Sequence, residues 1–226
     1  MTIQEMHTAF RTLGQQMGMQ TIRSVLGESI DVYLNQAITE TVRNVVLVNA
    51  TTQFNDRVAI QDNSISPVNS IRTLVRKGSN TIPTMGSDKD YYSILLLTAD
   101  VMYYTSFGIK YENQNKRIGA RFIEGDKVDD TRSDYCNRDT WDYPIVSLSM
   151  DSASREIIEL YIGDTTKKPK TLEVSYIKTP NVVKRSTDSS ANVHCDLPVG
   201  IHRNIVEIAV NKFFSSIGST TKPVSR

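Results

Sequence analysis

Residues 171–180, TLEVSYIKTP, and residues 197–214, LPVGIHRNIVEIAVNKFF, decide how this chain is read. In the first, Leu172, Val174 and Tyr176 alternate with Glu173, Ser175 and Ile177, a partial period of two that predicts a strand. In the second, Asp196 and Pro198 precede an apolar-periodic stretch, which predicts a helix from about Val199 to Ile217, closed by Gly218. Ile201, Ile205, Ile208, Ala209, Lys212 and Phe213 mark its buried side, and Val206, Val210 and Phe214 widen the apolar stripe beyond what one partner helix needs. The order is sheet first and packed helix last. Neither segment carries a group suited to chemistry.

Working outward, the polar connector NVVKRSTDSSANVH (181–194) separates these two segments. Upstream, Val101–Tyr111, YPIVSLSM (143–150) and REIIELYIGD (155–164) are rich in β-branched and aromatic residues, and DSAS and DTTKKPK between them read as turns. An antiparallel meander is the economical arrangement. SNTIPTMGSD (79–88) reads as a loop, and GDKVDDTRSDYCNRDTWDYP (125–144) as an acidic surface loop or a short helix.

The N-terminal third reads as helical. Ile3, Met6, Phe10, Leu13 and Met17 share one face, with fraying expected near Gly14 and Gly18. ESIDVYLNQAITETVRNVVLVNA (28–50) carries the stripe Ile30, Tyr33, Leu34, Ala37, Ile38, Val42, Val45 and Val46, with Ser29 as the expected N-cap and Glu28 and Asp31 at the positive dipole end. PVNSIRTLVRK (67–77) predicts a third helix, Pro67 in its first turn and Gly78 at its end. The expected fold is α+β: an N-terminal helical hairpin or bundle, a central antiparallel sheet, and a C-terminal helix packed back on the helical part. The expected domains are a discontinuous helical one (1–80 and 196–218), a β-domain (81–195) with the acidic loop near 125–143, and a tail (219–226).

Composition excludes several classes. Lys+Arg at 26 against Asp+Glu at 25 leave a net charge of +1, so no global field favours nucleic acid or an anionic membrane. No window approaches a membrane span, and the opening MTIQEMHTAFRTLG lacks the basic start and apolar stretch of a signal peptide, which predicts a chain made and used without crossing a membrane. Two cysteines, Cys136 and Cys195, are too few for a disulfide framework and point to a reducing compartment.

No constellation for catalysis stands out. GxxxxGK, GxGxxG and GxSxG are absent. His194, Cys195, Cys136 and His202 lack the paired spacing of a zinc site, so exposed histidines and unpaired thiols are expected. Asp126, Asp129, Asp130, Asp134, Asp139 and Asp142 lack EF-hand spacing and read as a solvated loop. Lys167, Lys168, Lys170, Lys184 and Arg185 read as solvated turn and connector cations, and Arg72, Arg76 and Lys77 as a cationic helix end. Trp141, beside Tyr135 and Tyr143, reads as an anchor in its own domain or in a partner.

The order of ESIDVYLNQA, SIRTLVRK, LEVSYIKTPNVV and LPVGIHRNIVEIAVNKFF resembles the head-to-tail connector proteins, the portal-adaptor rings, of tailed bacteriophages, most of all the ring proteins of crAss-like podovirus-type phages. Tyr176, Ile177, Lys178 and Pro180 match the end of the family's sheet. Leu197, Pro198, His202, Ile205, Val206, Ala209 and Val210 match the start of its C-terminal helix, and residues 125–143 match nothing. The resemblance implies a non-enzymatic virion protein without cofactors, assembled in the host cytoplasm as a homo-oligomeric, commonly dodecameric ring. It would bind the portal and tail components and extend the channel for genomic DNA in packaging, retention and ejection. Val206, Val210, Phe213, Phe214, Lys222, Arg226 and Trp141 are the expected assembly interface. The alternatives are a module binding a ligand on its central sheet and a metal-dependent nuclease using Asp129, Asp130 and Asp134.

Overall fold

The computed structural model describes residues 1–18, 24–55, 67–83, 90–95, 100–112, 114, 116–163 and 166–218. It is an α+β protein whose chain divides into two compact units, Met1–Leu74 with Pro180–Arg226, and Val75–Thr179.

In the first unit, helix α1 (Ile3–Gln16) begins in a capping box. Thr2 Oγ1 accepts the Glu5 N–H at 3.3 Å and Glu5 Oε2 accepts the Thr2 N–H at 2.9 Å, an arrangement that stabilises a helix start by about 1 kcal/mol. Ile3, Met6 and Phe10 are buried as their spacing predicts. Gly14 lies inside the helix rather than fraying it, and the turn out comes at Gly18, whose φ of +92° suits only glycine without strain. Met17 is exposed, because the helix has already ended.

Helix α2 (Gly27–Asn55) starts two residues before the expected cap Ser29 and buries Ile30, Leu34, Ala37, Ile38 and Val42. A 3-10 turn (Val199–Ile201) leads into helix α4 (His202–Gly218), which packs against both α1 and α2. The Phe213 ring meets Phe10 of α1 at 5.7 Å and Tyr33 of α2 at 5.2 Å, both edge-on.

This packing corrects the reading of the wide apolar stripe. Ile205, Val206, Ala209 and Val210 are all fully buried, so the surplus over one partner is taken up by a second helix of the same chain. Lys212, placed on the buried side by its spacing, instead pairs with Glu40 at 2.5 Å.

The second unit is built on a seven-stranded sheet in the order β1-β7-β3-β4-β5-β6-β2. The strands are β1 (Val75–Thr81), β2 (Tyr92–Leu95), β3 (Val101–Tyr111), β4 (Ile118–Phe122), β5 (Ile145–Met150), β6 (Glu156–Tyr161) and β7 (Pro169–Lys178). A short helix, α3 (Val128–Ser133), follows β4. All pairs are antiparallel except β4 with β5. The arrangement is not a meander: β7, last in sequence, lies between β1 and β3.

Residues 67–77 do not form the expected helix. A 3-10 segment (Pro67–Leu74) gives way to β1, and Arg76 and Lys77 are strand residues rather than a helix end. Seven consecutive pairings with β7, from Val75↔Ile177 to Thr81↔Thr171, override the local helical preference. Phe107, Ile109, Tyr111, Val146, Ile158, Leu160, Leu172 and Val174 form the core of this unit, contributed by alternate positions of the central strands.

Candidate functional site

The residues picked out for assembly are distributed unequally. Val206 and Val210 have no exposed surface and Phe213 is buried between rings, so these three serve the chain's own core. Phe214 is half-buried, and Lys222 and Arg226 lie outside the described residues. Aliphatic surface is left elsewhere in the helical unit: Leu26, Val32, Val182 and Val199 are each more than half exposed. Their segments adjoin. Asn35 holds Val183 through two bonds, the Val183 N–H to Oδ1 at 2.8 Å and Nδ2 to the Val183 carbonyl at 2.9 Å, while Asp196 Oδ2 accepts the Asn181 N–H at 3.3 Å.

His7 and His202 are buried rather than exposed, whereas His194 is exposed as expected. His7 is fully buried on α1, and its Nε2 donates to Asp31 Oδ1 of α2 at 2.7 Å. The second Asp31 oxygen accepts the Arg185 N–H at 3.0 Å, so one carboxylate joins α1, α2 and the connector. Burial holds the His7 pKa below its ordinary value, outweighing the opposing effect of Asp31. His202 is buried and donates from Nε2 to the Leu197 carbonyl at 2.8 Å. His194 Nδ1 accepts the Ile3 N–H at 3.2 Å, capping α1. Cys195 is a half-buried free thiol with its pKa pushed up by burial, and Cys136 is a free exposed thiol. None of the His194, Cys195 and His202 bonds is that of a zinc ligand, and among the described residues no three His, Cys, Asp or Glu side chains group to hold a metal ion.

The acidic segment 125–143 is ordered and, as expected, largely solvent-facing: Asp126, Asp129, Asp130, Asp134 and Asp142 are exposed, and only Asp139 of the six aspartates is buried. A 3-10 turn (Gly125–Lys127) and α3 carry Arg132 to Asp139, where Arg132 Nε lies 3.2 Å from Oδ1. Arg132 also bonds Asp90, holding that carboxyl below its usual range, and its guanidinium lies 4.7 Å from the Tyr161 ring centre. From β4, Arg121 reaches the Asn137 carbonyl at 2.6 Å and covers the Tyr143 ring at 4.7 Å. Tyr111 of β3 donates to the Trp141 carbonyl at 2.7 Å, and its ring meets the indole edge-on at 6.4 Å. Trp141 is thus an anchor within its own unit. Gly163 allows the loop to seat after β6: its φ is +64°, and a Cβ there would strike the Asp139 carbonyl.

The carboxylates have separate tasks. Asp134 accepts the Cys136 N–H at 3.0 Å and Asn137 Nδ2 at 2.6 Å, and Asp142 accepts Thr140 Oγ1 at 2.7 Å. Asp129 and Asp130 stand in the first turn of α3. These positions do not bring Asp129, Asp130 and Asp134 into a metal-ligand set among the described residues. Asp139 differs from its neighbours. It is buried, its Oδ2 has no hydrogen-bond partner, and it lines a pocket of about 440 Å³ with Arg132, Arg138, Thr140, Trp141, Asp142 and Gly163. An unpaired buried acceptor of this kind costs roughly 1–3 kcal/mol. The sequence signal for it is weak, since nothing local distinguishes Asp139 from the other aspartates.

The polar face of the sheet holds a second pocket of about 480 Å³ between β1, β3 and β7, lined by Lys77, Ser79, Ser106, Arg117, Glu173 and Ser175 among others. Lys110 Nζ and Arg117 Nε lie 2.5 and 3.3 Å from the two Glu173 oxygens, and Lys110 chiefly holds the Glu173 carboxyl below its usual range. Arg117 lies across Gly108, where a Cβ would collide with the guanidinium. Three cations against one carboxylate leave this face mildly positive. Among the described residues no helix is long and apolar enough to cross a membrane.

No protein-family model matches this sequence, and no curated protein matches it significantly.

Proposed function

We propose that the chain is a structural virion protein of a tailed bacteriophage, building a homo-oligomeric ring at the head-to-tail junction beneath the portal. In this role it extends the DNA channel and docks tail components, and it performs no catalysis. The observation that carries the reading is the set of exposed aliphatic residues Leu26, Val32, Val182 and Val199 on adjoining segments of the helical unit. A unit that buries Val206 and Val210 of α4 as well as Ile205 and Ala209 has packing capacity, so these residues are left for a partner rather than for want of a core. A second copy is that partner. A head-to-tail contact repeated about one axis closes into a ring when the rotation fits.

The order of the quoted segments, similar to that of connector proteins, supports the same assignment, with the interface moved from α4 to this border. A net charge of +1 suits a channel through which DNA must slide without being gripped. The mildly positive face around Lys77, Lys110 and Arg117 is chemically suited to passing phosphates. The test is mass in solution, measured by light scattering alone and with a portal protein. A ring-sized species in either condition is expected. A chain that remains monomeric at high concentration in both would sink the proposal.

A further inference from the structure

We propose that the pocket on the polar face of the sheet, between β1, β3 and β7, is a binding site for one phosphate group. The inference reaches past the passage of DNA phosphates, since it fixes an anion at one place, and it stands without the ring reading. Three strands assemble the site. Register sets Lys77, Ser175 and Ser106 in one row and Ser79, Glu173 and Gly108 in the next, so all six face the same side of the sheet. With Arg117, the side chains of these rows line a pocket of about 480 Å³.

Charge selects an anion. Glu173 is the one carboxylate in the lining among the described residues, and it is already matched: Lys110 Nζ lies 2.5 Å from Oε1 and Arg117 Nε 3.3 Å from Oε2. Lys77 lines the pocket, acts on Glu173 through its charge, and has no hydrogen-bond partner among the described residues. Three cations around one carboxylate leave a surplus of two positive charges, which a phosphate dianion matches.

The donors select phosphate among anions. The Arg117 guanidinium is laid in place across Gly108, where a Cβ would collide with it, and its Nη2 donates to Ser106 Oγ at 3.3 Å. Nε and Nη2 are thereby engaged, and Nη1 is left without a partner among the described residues. The Ser79 and Ser175 hydroxyls are likewise without partners among the described residues. Lys77 from β1, Arg117 from beyond β3 and the serine hydroxyls between them offer donors on several sides. A tetrahedral anion carries acceptors on every side, whereas a planar carboxylate presents two oxygens in one plane. Because Arg117 is positioned before the ligand arrives, little side-chain freedom is lost on binding.

The full chain is titrated with inorganic phosphate in a calorimeter, at constant ionic strength set with potassium chloride, and acetate serves as the planar control. Saturable binding of one phosphate per chain is expected, with acetate at least about fivefold weaker. Gly108→Ala keeps every charge, and its methyl meets the movable end of Arg117, so the strand holds while the guanidinium is pushed aside. Phosphate should then bind at least about fivefold more weakly. Arg117→Lys, which keeps the charge and loses the fork, gives the same readout should Gly108→Ala not fold. Absence of saturable binding overturns the site, as does acetate binding as tightly as phosphate. Undiminished affinity in folded Gly108→Ala or Arg117→Lys protein does so too, since it would leave only a diffuse positive surface. A short DNA duplex at equal phosphate concentration identifies the source. Displacement of phosphate by the duplex assigns the site to a nucleic-acid phosphodiester, and undisturbed binding assigns it to free phosphate or a phosphomonoester; the site stands in both. A monomeric chain that binds phosphate keeps the site while the ring reading fails, and a ring-sized species that does not bind it does the reverse.

Discussion

His7 Nε2 donates a 2.7 Å hydrogen bond to Asp31 Oδ1 inside the helical unit, where His7 has no exposed surface. Nε2 is the protonated nitrogen of a neutral ring, and Nδ1 is left buried without a partner. Burial depresses the folded-state pKa below the ordinary 6.5, so the unfolded chain takes up the proton first as pH falls. Stability contributed by this histidine is complete above that value and declines below it. Urea unfolding followed by helical circular dichroism should show wild type losing stability between neutral pH and the folded pKa. His7→Gln, destabilised by roughly 1–3 kcal/mol at neutral pH, should close the gap with wild type on acidification. A gap that is constant with pH would exclude this account.

Asn35 tethers the connector by bonding both the N–H and the carbonyl of Val183, and its Nδ2 also reaches the Asp31 carbonyl at 2.8 Å. Asn35→Asp keeps the shape but removes both donor bonds and sets a negative charge against two carbonyls. The expected loss is about 2–3 kcal/mol, read as a lower urea midpoint. An unchanged midpoint would show that the connector is held by Val183 burial alone.

Gly163→Ala places a methyl group against the Asp139 carbonyl at a φ that alanine disfavours. The backbone conformation alone costs about 1–2 kcal/mol, and the collision adds to it. Because Trp141 lies two residues from Asp139, its emission should shift in the folded variant. A spectrum and melting temperature identical to wild type would count against the seating of the loop on this glycine.

Val206→Asp and Val199→Asp separate core from border. Val206 is fully buried, and an unpaired carboxylate there costs several kcal/mol, enough to abolish the folded helical unit. Val199 is exposed, so Val199→Asp should leave the circular dichroism intact and, under the proposed ring, lower the mass measured in solution. Assembly unaffected by Val199→Asp and by Val182→Asp together would remove this border from the interface.

Elements with strong local patterns were legible. Val101–Tyr111 is a strand over the expected residues, and the C-terminal helix runs where Pro198 and Gly218 placed it. The capping box at Thr2 and Glu5 is also visible in the sequence, as T-x-x-E ahead of the apolar pattern. β1 was not legible, because VRKGSNT has no alternation of its own and becomes a strand through β7, whose paired residues lie some ninety or more positions away. The same non-locality hid the second partner of α4. The spacing of Val206 and Val210 shows that two surfaces must be covered, but not whether the second cover comes from the same chain. For Asp139, the distinguishing facts are Arg132 on one oxygen and none on the other, which depend on how 125–143 folds back on β6.

The nesting of one unit inside the sequence of the other dictates an order of synthesis. β1 emerges early but waits for β7 before either of its edges is paired, and α1 and α2 wait longer still, until α4 follows. During translation the sheet unit can close while the buried faces of α1 and α2, Phe10 and Leu34 among them, have no third helix to cover them. A nascent chain halted shortly after Thr179 therefore presents a finished β unit beside an open apolar helix pair, the species on which a chaperone, or aggregation, would act.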